Sequence, residues 1–273
     1  MARQWLSREL ETVATWWRIE RTDGVALGFT SHDRDLYVSG IVLRAAPGMV
    51  PSAVRLTGGL DADSADITGA LTHDAISKAD LDSGRYDGAR IAMGLVDWES
   101  LETLQIYAGT IGSVGREGAG FSAQLRSAKT ALEREIVPRT APTCRAEFCA
   151  GGCTLSAGRF THEGRLASVS DDRSAVTVTA QIEANLLEFG TLRWVDGPEA
   201  GMTRRIEAVS GDVLMLDRPV EAGATPGARL ILREGCDHTL ETCGARFGNA
   251  ANFQGEPFLP GNDLLTRYPS PAA

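Results

Sequence analysis

The chain has only two lysines, Lys78 and Lys129, against twenty-five arginines, and no long basic run. Its longest basic cluster is the dipeptide Arg204-Arg205, which leaves no linear stripe for nucleic acid in a chain of net charge −9. The lysine shortage is what codon bias in a GC-rich genome produces. Aromatic residues make up 6% of the 273 positions. No apolar run is long enough to cross a bilayer as a helix. The N-terminus, MARQWLSRELETVATWW, lacks the unbroken apolar core and small-residue cleavage site of a secretory signal. A reducing cytoplasm is therefore the expected site of assembly, and an odd number of cysteines, five, speaks against a disulfide framework.

Catalytic signatures are also missing. No glycine-rich segment ends in Gly-Lys-Ser/Thr, and no Gly-x-Ser-x-Gly elbow occurs. His162-Glu163 lacks the second histidine of a zincin helix. The glycines from Gly115 to Gly120 belong to a hairpin turn and do not open a helix after a strand. The four histidines, at 32, 73, 162 and 238, all fall in polar stretches that favour turn or surface roles.

Periodicity points to a mainly β chain with a few short helices. Leu6, Leu10, Val13 and Trp17 recur at helical spacing and predict a short N-terminal helix. Asp23-Gly24 between two β-prone runs predicts a hairpin. Leu36 to Ala46 and Arg90 to Trp98 read as extended, and Thr103–Val114 pairs with Phe121–Arg126 across a glycine-rich turn. Short helices are expected from Ser77 to Leu81 and from Ala128 to about Ile136. Arg139-Thr140-Ala141-Pro142 is the linker candidate. Beyond it, strands are expected at 175–180, 191–195, 204–210, 213–217 and 229–233. Their spacing suggests a small barrel or sandwich.

Four cysteines form two loose pairs. Cys144 and Cys153 are nine residues apart, Cys236 and Cys243 seven apart, with about eighty residues between the pairs. Their neighbours are polar or glycine, which suits loop thiols better than core ones. Soft thiolates in a reducing compartment favour a metal. Structural zinc usually takes cysteines two to four residues apart, whereas an iron–sulfur cluster tolerates wider spacing. The residues leave three readings open: a cluster, zinc, or unligated thiols. Cys149 is the odd member, and His238 is a further candidate ligand that fits a capping turn as well.

Pro142-Thr143-Cys144-Arg145-Ala146…Cys153, then Gly235-Cys236-Asp237-His238-Thr239…Thr242-Cys243…Phe247-Gly248-Asn249…Asn252-Phe253-Gln254-Gly255, resembles the C-terminal module of the baseplate hub proteins of long-tailed phages and gene transfer agents. That family includes the lambda-like tail-tip protein L. Leu27-Gly28-Phe29-Thr30-Ser31-His32-Asp33-Arg34-Asp35-Leu36 is similar to the opening hairpin of gene-transfer-agent hubs. The resemblance implies an N-terminal hub-type β-barrel domain (1–137), a small C-terminal β-module carrying a four-cysteine site (138–260), and a tail, extended or mobile (261–273). It implies a non-enzymatic homotrimer beneath a distal tail protein and above a central tip protein, with DNA passage through the lumen without sequence-specific binding. Little positive charge is then expected to face a passing duplex. It also implies a [4Fe–4S] cluster on Cys144, Cys153, Cys236 and Cys243, acting as a staple. The competing readings are a cluster- or flavin-dependent oxidoreductase and a zinc-stabilised adaptor.

Overall fold

The computed structural model describes residues 4–7, 10–45, 50–51, 64–70, 76, 80–81, 83–117, 120–133, 137–221 and 223–258. It divides into two compact units, Met1–Glu135 and Ile136–Ala273.

Among the described residues the first unit is a nine-stranded sheet. In chain order its strands are β1 (Val13–Glu20), β2 (Ala26–Thr30), β3 (Leu36–Val38), β4 (Ile41–Ala45), β5 (Val50–Pro51), β6 (Ser64–Ala70), β7 (Arg90–Asp97), β8 (Thr103–Glu117) and β9 (Gly120–Ser127). They lie side by side in the order β3-β4-β2-β1-β7-β8-β9-β6-β5. The expected hairpins are present: β1 pairs with β2 antiparallel, as β8 does with β9. The helix expected across Leu6 to Trp17 is not. Two 3₁₀ turns (Gln4–Ser7 and Leu10–Thr12) lead straight into β1. The period of two then puts Trp16 and Trp17 on opposite faces, each in its own core. Trp17 packs with Ile19, Phe29, Ile91 and Tyr107, while Trp16 packs with Leu36, Val38, Leu43 and Val96. β-Branched and aromatic residues in Val13–Glu20 favour this pleated, doubly buried placement. A 3₁₀ turn, Ala128–Glu133, replaces the α-helix expected there, and the helix expected from Ser77 lies largely outside the described residues.

A close approach explains Gly94. It lies opposite Trp16, and an added Cβ would lie 2.0 Å from the Leu104 carbonyl and 2.8 Å from the Trp16 indole nitrogen. The indole instead donates to the Leu95 carbonyl at 3.0 Å. At the β1–β2 turn, Asp23 accepts from Arg21 Nε (3.1 Å), Arg85 Nη1 (3.0 Å) and the Val25 amide (3.2 Å).

The second unit holds a closed six-stranded barrel. Its strands are β10 (Thr161–Val169), β11 (Ala175–Ala180), β12 (Thr191–Trp194), β13 (Thr203–Ser210), β14 (Val213–Leu216) and β15 (Arg229–Arg233), ordered β10-β11-β14-β13-β12-β15 and closed by β10 on β15. Leu166, Leu192, Trp194, Ile206, Leu214 and Leu230 fill it. Glu199 and Arg204 are also buried and face each other at 3.4 Å, with Glu199 accepting from the Glu221 amide at 2.8 Å.

Two parts of the expected fold are thereby corrected. The closed barrel is C-terminal and not N-terminal: among the described residues the first unit's sheet runs from a β3 edge to a β5 edge without closing. The barrel also carries no four-cysteine site, since Cys144, Cys153, Cys236 and Cys243 all lie outside its strands. Strand β10 had no sequence forecast. Its Thr-His-Glu-Gly-Arg stretch is polar, because only Leu166 among its nine residues is buried.

Two outcomes follow from this packing. Leu192→Ala, at a fully buried barrel position, should cost about 3 kcal/mol and lower the urea midpoint of the second unit. At Asp23, burial pushes the carboxyl pKa up, but the bonds from Arg21, Val25 and Arg85 outweigh it and hold the pKa below the usual range. Its contribution is thus present above the unfolded-state pKa and lost as pH falls through the lower folded value. Asp23→Asn should flatten the acid limb of the first unit's pH–stability profile, read by thermal melts.

Candidate functional site: the cysteine segments at the barrel mouth

Barrel closure positions the site. Thr161, the first residue of β10, pairs with Arg233, the last of β15, and the Glu234 amide donates to the Phe160 carbonyl at 3.0 Å. The chain therefore enters and leaves the barrel at one place. The segment before β10 carries Cys144, Cys149 and Cys153, and the segment after β15 carries Cys236 and Cys243. The exit is tight. A Cβ on Gly235 would lie 1.7 Å from the Glu188 carbonyl and 2.5 Å from the Gly190 amide nitrogen, so only glycine passes there.

Main-chain bonds then lace the two segments together. The Cys144 amide donates to the His238 carbonyl at 2.8 Å, and the Arg145 amide to the Gln254 carbonyl at 2.9 Å. His238 Nδ1 lies 3.1 Å from the Cys144 carbonyl, an acceptor, so that nitrogen carries the proton. Arg145 forms a fork on Glu256, with Nη1 to Oε2 at 2.6 Å and Nη2 to Oε1 at 2.8 Å. Asn249 Nδ2 donates to the Cys153 carbonyl at 2.6 Å, and Gln254 Nε2 to the Gly152 carbonyl at 3.0 Å. Phe148, Phe160 and Phe247 pack beneath with ring centroids 4.8–5.4 Å apart.

Cys243 rides on a short α-helix, Leu240–Ala245. Thr239 caps it by accepting the Thr242 amide at 3.2 Å. Asp237 braces the cap, accepting the Thr239 amide at 2.9 Å and the Thr242 hydroxyl at 2.8 Å. Arg246, one turn on, donates to the Gly235 carbonyl at 3.2 Å and the Leu186 carbonyl at 3.0 Å.

Three sulfurs accept N–H groups. The His238 amide donates to Cys236 Sγ at 3.4 Å, the Gln254 amide to Cys144 Sγ at 3.3 Å, and Asn249 Nδ2 approaches Cys153 Sγ at 3.8 Å. N–H donors aimed at sulfur suit thiolate ligands and tune iron–sulfur centres. Burial first, then the charges of Cys144 and Cys153, pushes the Cys243 thiol pKa up. The Cys236 thiol is likewise raised, by burial first and then by Asp237, Cys243 and Cys153 against the His238 amide. Each pair of segments therefore feels the other. Cys149 belongs to the same group: burial raises its pKa, followed by Cys153.

The expectation of an assembled four-cysteine site is corrected in geometry. Among the described residues, no group of three or more His, Cys, Asp or Glu side chains could hold a metal ion. The fold brings the cysteine-bearing segments together through the Cys144–His238 and Arg145–Gln254 main-chain bonds. His238, the further candidate ligand, is engaged through Nδ1 with the Cys144 main chain. Asn249, Gln254 and Glu256 are the supporting residues that the reading of the residues left without roles. Their signal was the hub-like motif Phe247-Gly248-Asn249…Asn252-Phe253-Gln254-Gly255, which contains Asn249 and Gln254 and ends just before Glu256.

The chain is thus a two-unit β protein whose second unit carries a hydrogen-bonded loop clamp at the barrel mouth. The comparisons say of which kind. Residues 2–156 match the family model described as baseplate hub protein, N-terminal attachment domain, and residues 185–263 match that of phage conserved hypothetical protein BR0599. A solved chain from the virion of a native gene transfer agent particle is 33% identical, with a TM-score of 0.83 over 98% of this chain and 95% of that one. No curated protein matches. The chain belongs to the baseplate hub protein family, the structural tail proteins of phages and gene transfer agents.

Gly235→Ala should force the Glu188–Gly190 backbone aside. The expected result is a melting temperature lower by about 5–10 °C and faster proteolysis of the cysteine segments.

Proposed function

We propose that this hub assembles as a homotrimeric ring that adapts a sixfold tail tube to a threefold tip, between a distal tail protein above and a central tip protein below. The observation that carries this reading is the likeness, over nearly the whole length, to a chain built into a gene transfer agent virion. Among the described residues, strands β3 and β5 end the first unit's sheet and offer edges on which neighbouring chains can continue it. The ring leaves a lumen through which DNA passes without sequence-specific contact.

The second part of the proposal is a [4Fe–4S] cluster on Cys144, Cys153, Cys236 and Cys243, with zinc as the competing occupant. The support is the lacing of the two segments and the N–H donors on three of the four sulfurs. When bound, the group supplies a cross-link and no redox step is asked of it. Tying two segments about eighty residues apart removes roughly 4 kcal/mol of unfolded-chain entropy, on the disulfide loop-closure scale.

Anaerobic purification of the full chain, with iron, sulfide and zinc analysis and analytical ultracentrifugation, tests both parts. The expected protein is brown, carries about four irons per chain, and forms trimers alone or with its tail partners. Serine at any of the four ligand positions should bleach the colour and lower the second unit's melting temperature, while Cys149→Ser should leave the colour intact. Stoichiometric zinc in a colourless protein overturns the cluster and leaves the hub standing. A strictly monomeric chain in an isolated, intact tail tip overturns the ring.

A further inference from the structure

Cys149 has no part in the proposed ligand set, yet the fold folds it back beside Cys153. The Ala150 amide donates to the Glu147 carbonyl at 3.1 Å, and the Ala150 carbonyl accepts the Cys153 amide at 2.9 Å and the Thr154 amide at 3.0 Å. Two turns that share Ala150 therefore run through residues 147–154, with Cys149 in the first and Cys153 closing the second. Cys149 stands at the third position of its turn with φ +62°, a left-handed conformation that glycine usually supplies. Gly151 and Gly152 fill the second turn, so the Ala150 methyl is the only side chain between the two cysteines along the chain. The buried Asn249 fixes the far end by donating to the Cys153 carbonyl at 2.6 Å. Burial raises the Cys149 thiol pKa and the charge of Cys153 is the next cause, ahead of Arg233, Cys236 and Glu234, which agrees with Cys153 as its foremost thiol neighbour. The sulfurs of Cys144 and Cys236 accept the Gln254 and His238 amides, and Cys243 is carried on the helix Leu240–Ala245. Cys149 and Cys153 are half-buried, with Gly151 and Thr154 exposed beside them, which leaves the turn open to a small molecule.

We infer that Cys149 and Cys153 are a dithiol that closes to a disulfide, by exchange with a low-molecular-weight disulfide, in chains whose Cys153 holds no metal. Among the described residues no three metal-binding groups converge on one point, whereas a disulfide needs only two thiols on one folded segment. One thiolate of the pair attacks a sulfur of the small disulfide and displaces one small thiolate. The other, its proton passed to water, attacks the protein sulfur of the mixed disulfide and displaces the second small thiolate. Two protein thiols are thereby oxidised to one disulfide, and one small disulfide is reduced to two thiols. A reducing cytoplasm keeps the pair open during assembly, and oxidising surroundings close it on empty chains. Closure takes Cys153 out of use as a ligand, so an oxidised empty chain no longer loads. That consequence rests on the four-cysteine reading, while the cross-link itself does not.

Oxidised glutathione added to the full chain, freed of metal under anaerobic conditions, tests it. Tryptic peptide 146–159 holds Cys149 and Cys153 and no other cysteine, so mass spectrometry reads the cross-link as the loss of two hydrogens from that peptide. Two glutathiones should be released for each chain that closes. Cys149→Ser should instead keep glutathione on Cys153, and Cys153→Ser should keep it on Cys149. Thermal melts check that both serine variants remain folded. The folded chain should cross-link faster than the same chain in urea. Glutathione retained on both cysteines of the native chain, Cys149 joined to Cys236, or an equal rate in urea overturns the proposal. The chain loaded with iron and sulfide should resist the cross-link until the group is removed. If the loaded chain closes as fast as the empty one, Cys153 holds no metal: the four-cysteine reading falls and the dithiol stands.

Discussion

The pairing of β10 with β15 is the contact on which the second unit depends. It closes the barrel, and because the two strands are antiparallel it sets the chain's entry beside its exit. Everything built from the cysteine segments uses that adjacency. The Cys144–His238 and Arg145–Gln254 bonds span more than ninety residues of sequence but only one barrel mouth. Without closure, two loops would have to find each other by diffusion, at the full entropic cost of an eighty-residue loop.

The clamp distributes its work between main chain and side chain. Main-chain bonds set the segments side by side, and the Arg145–Glu256 fork and the Asn249 amide hold them there. A phenylalanine trio fills the space below. This polar lacing is what a short, glycine-rich region needs, since it has too little apolar surface to fix its loops by burial. A structural cross-link would add to an arrangement that the hydrogen bonds already hold in register.

The first unit solves a different problem. A sheet with large aromatics on both faces must keep its strands from colliding, and Gly94 under Trp16 is how this one does so. The buried Arg21–Asp23–Arg85 network then ties the first hairpin to the segment before β7. Charges so placed have to be paired, so the network constrains that turn as firmly as an apolar contact would.

Much of this was legible in the amino-acid order. Period-two runs marked most strands, Asp23-Gly24 marked a hairpin, and the spacing of the later strands pointed to a barrel or sandwich. Polar neighbours placed the cysteines in loops, and their motif pointed to the hub family. Three things were not legible, each for a physical reason. Trp17 fits a helical stripe and a strand equally well over so short a stretch, and only pairing with β2 and β7 chose the strand. Strand β10 opens on the polar Thr-His-Glu and buries only Leu166 of its nine residues, so no apolar alternation marks it. The location of the barrel depended on which edges meet, a choice made by long-range register and absent from local pattern. The sequence by itself determined most of the strands, the loop character of the thiols and the chain's acidic balance. Only the tertiary structure decided which sheet closes and which segments lie together, because cross-strand register joins residues that sequence distance separates.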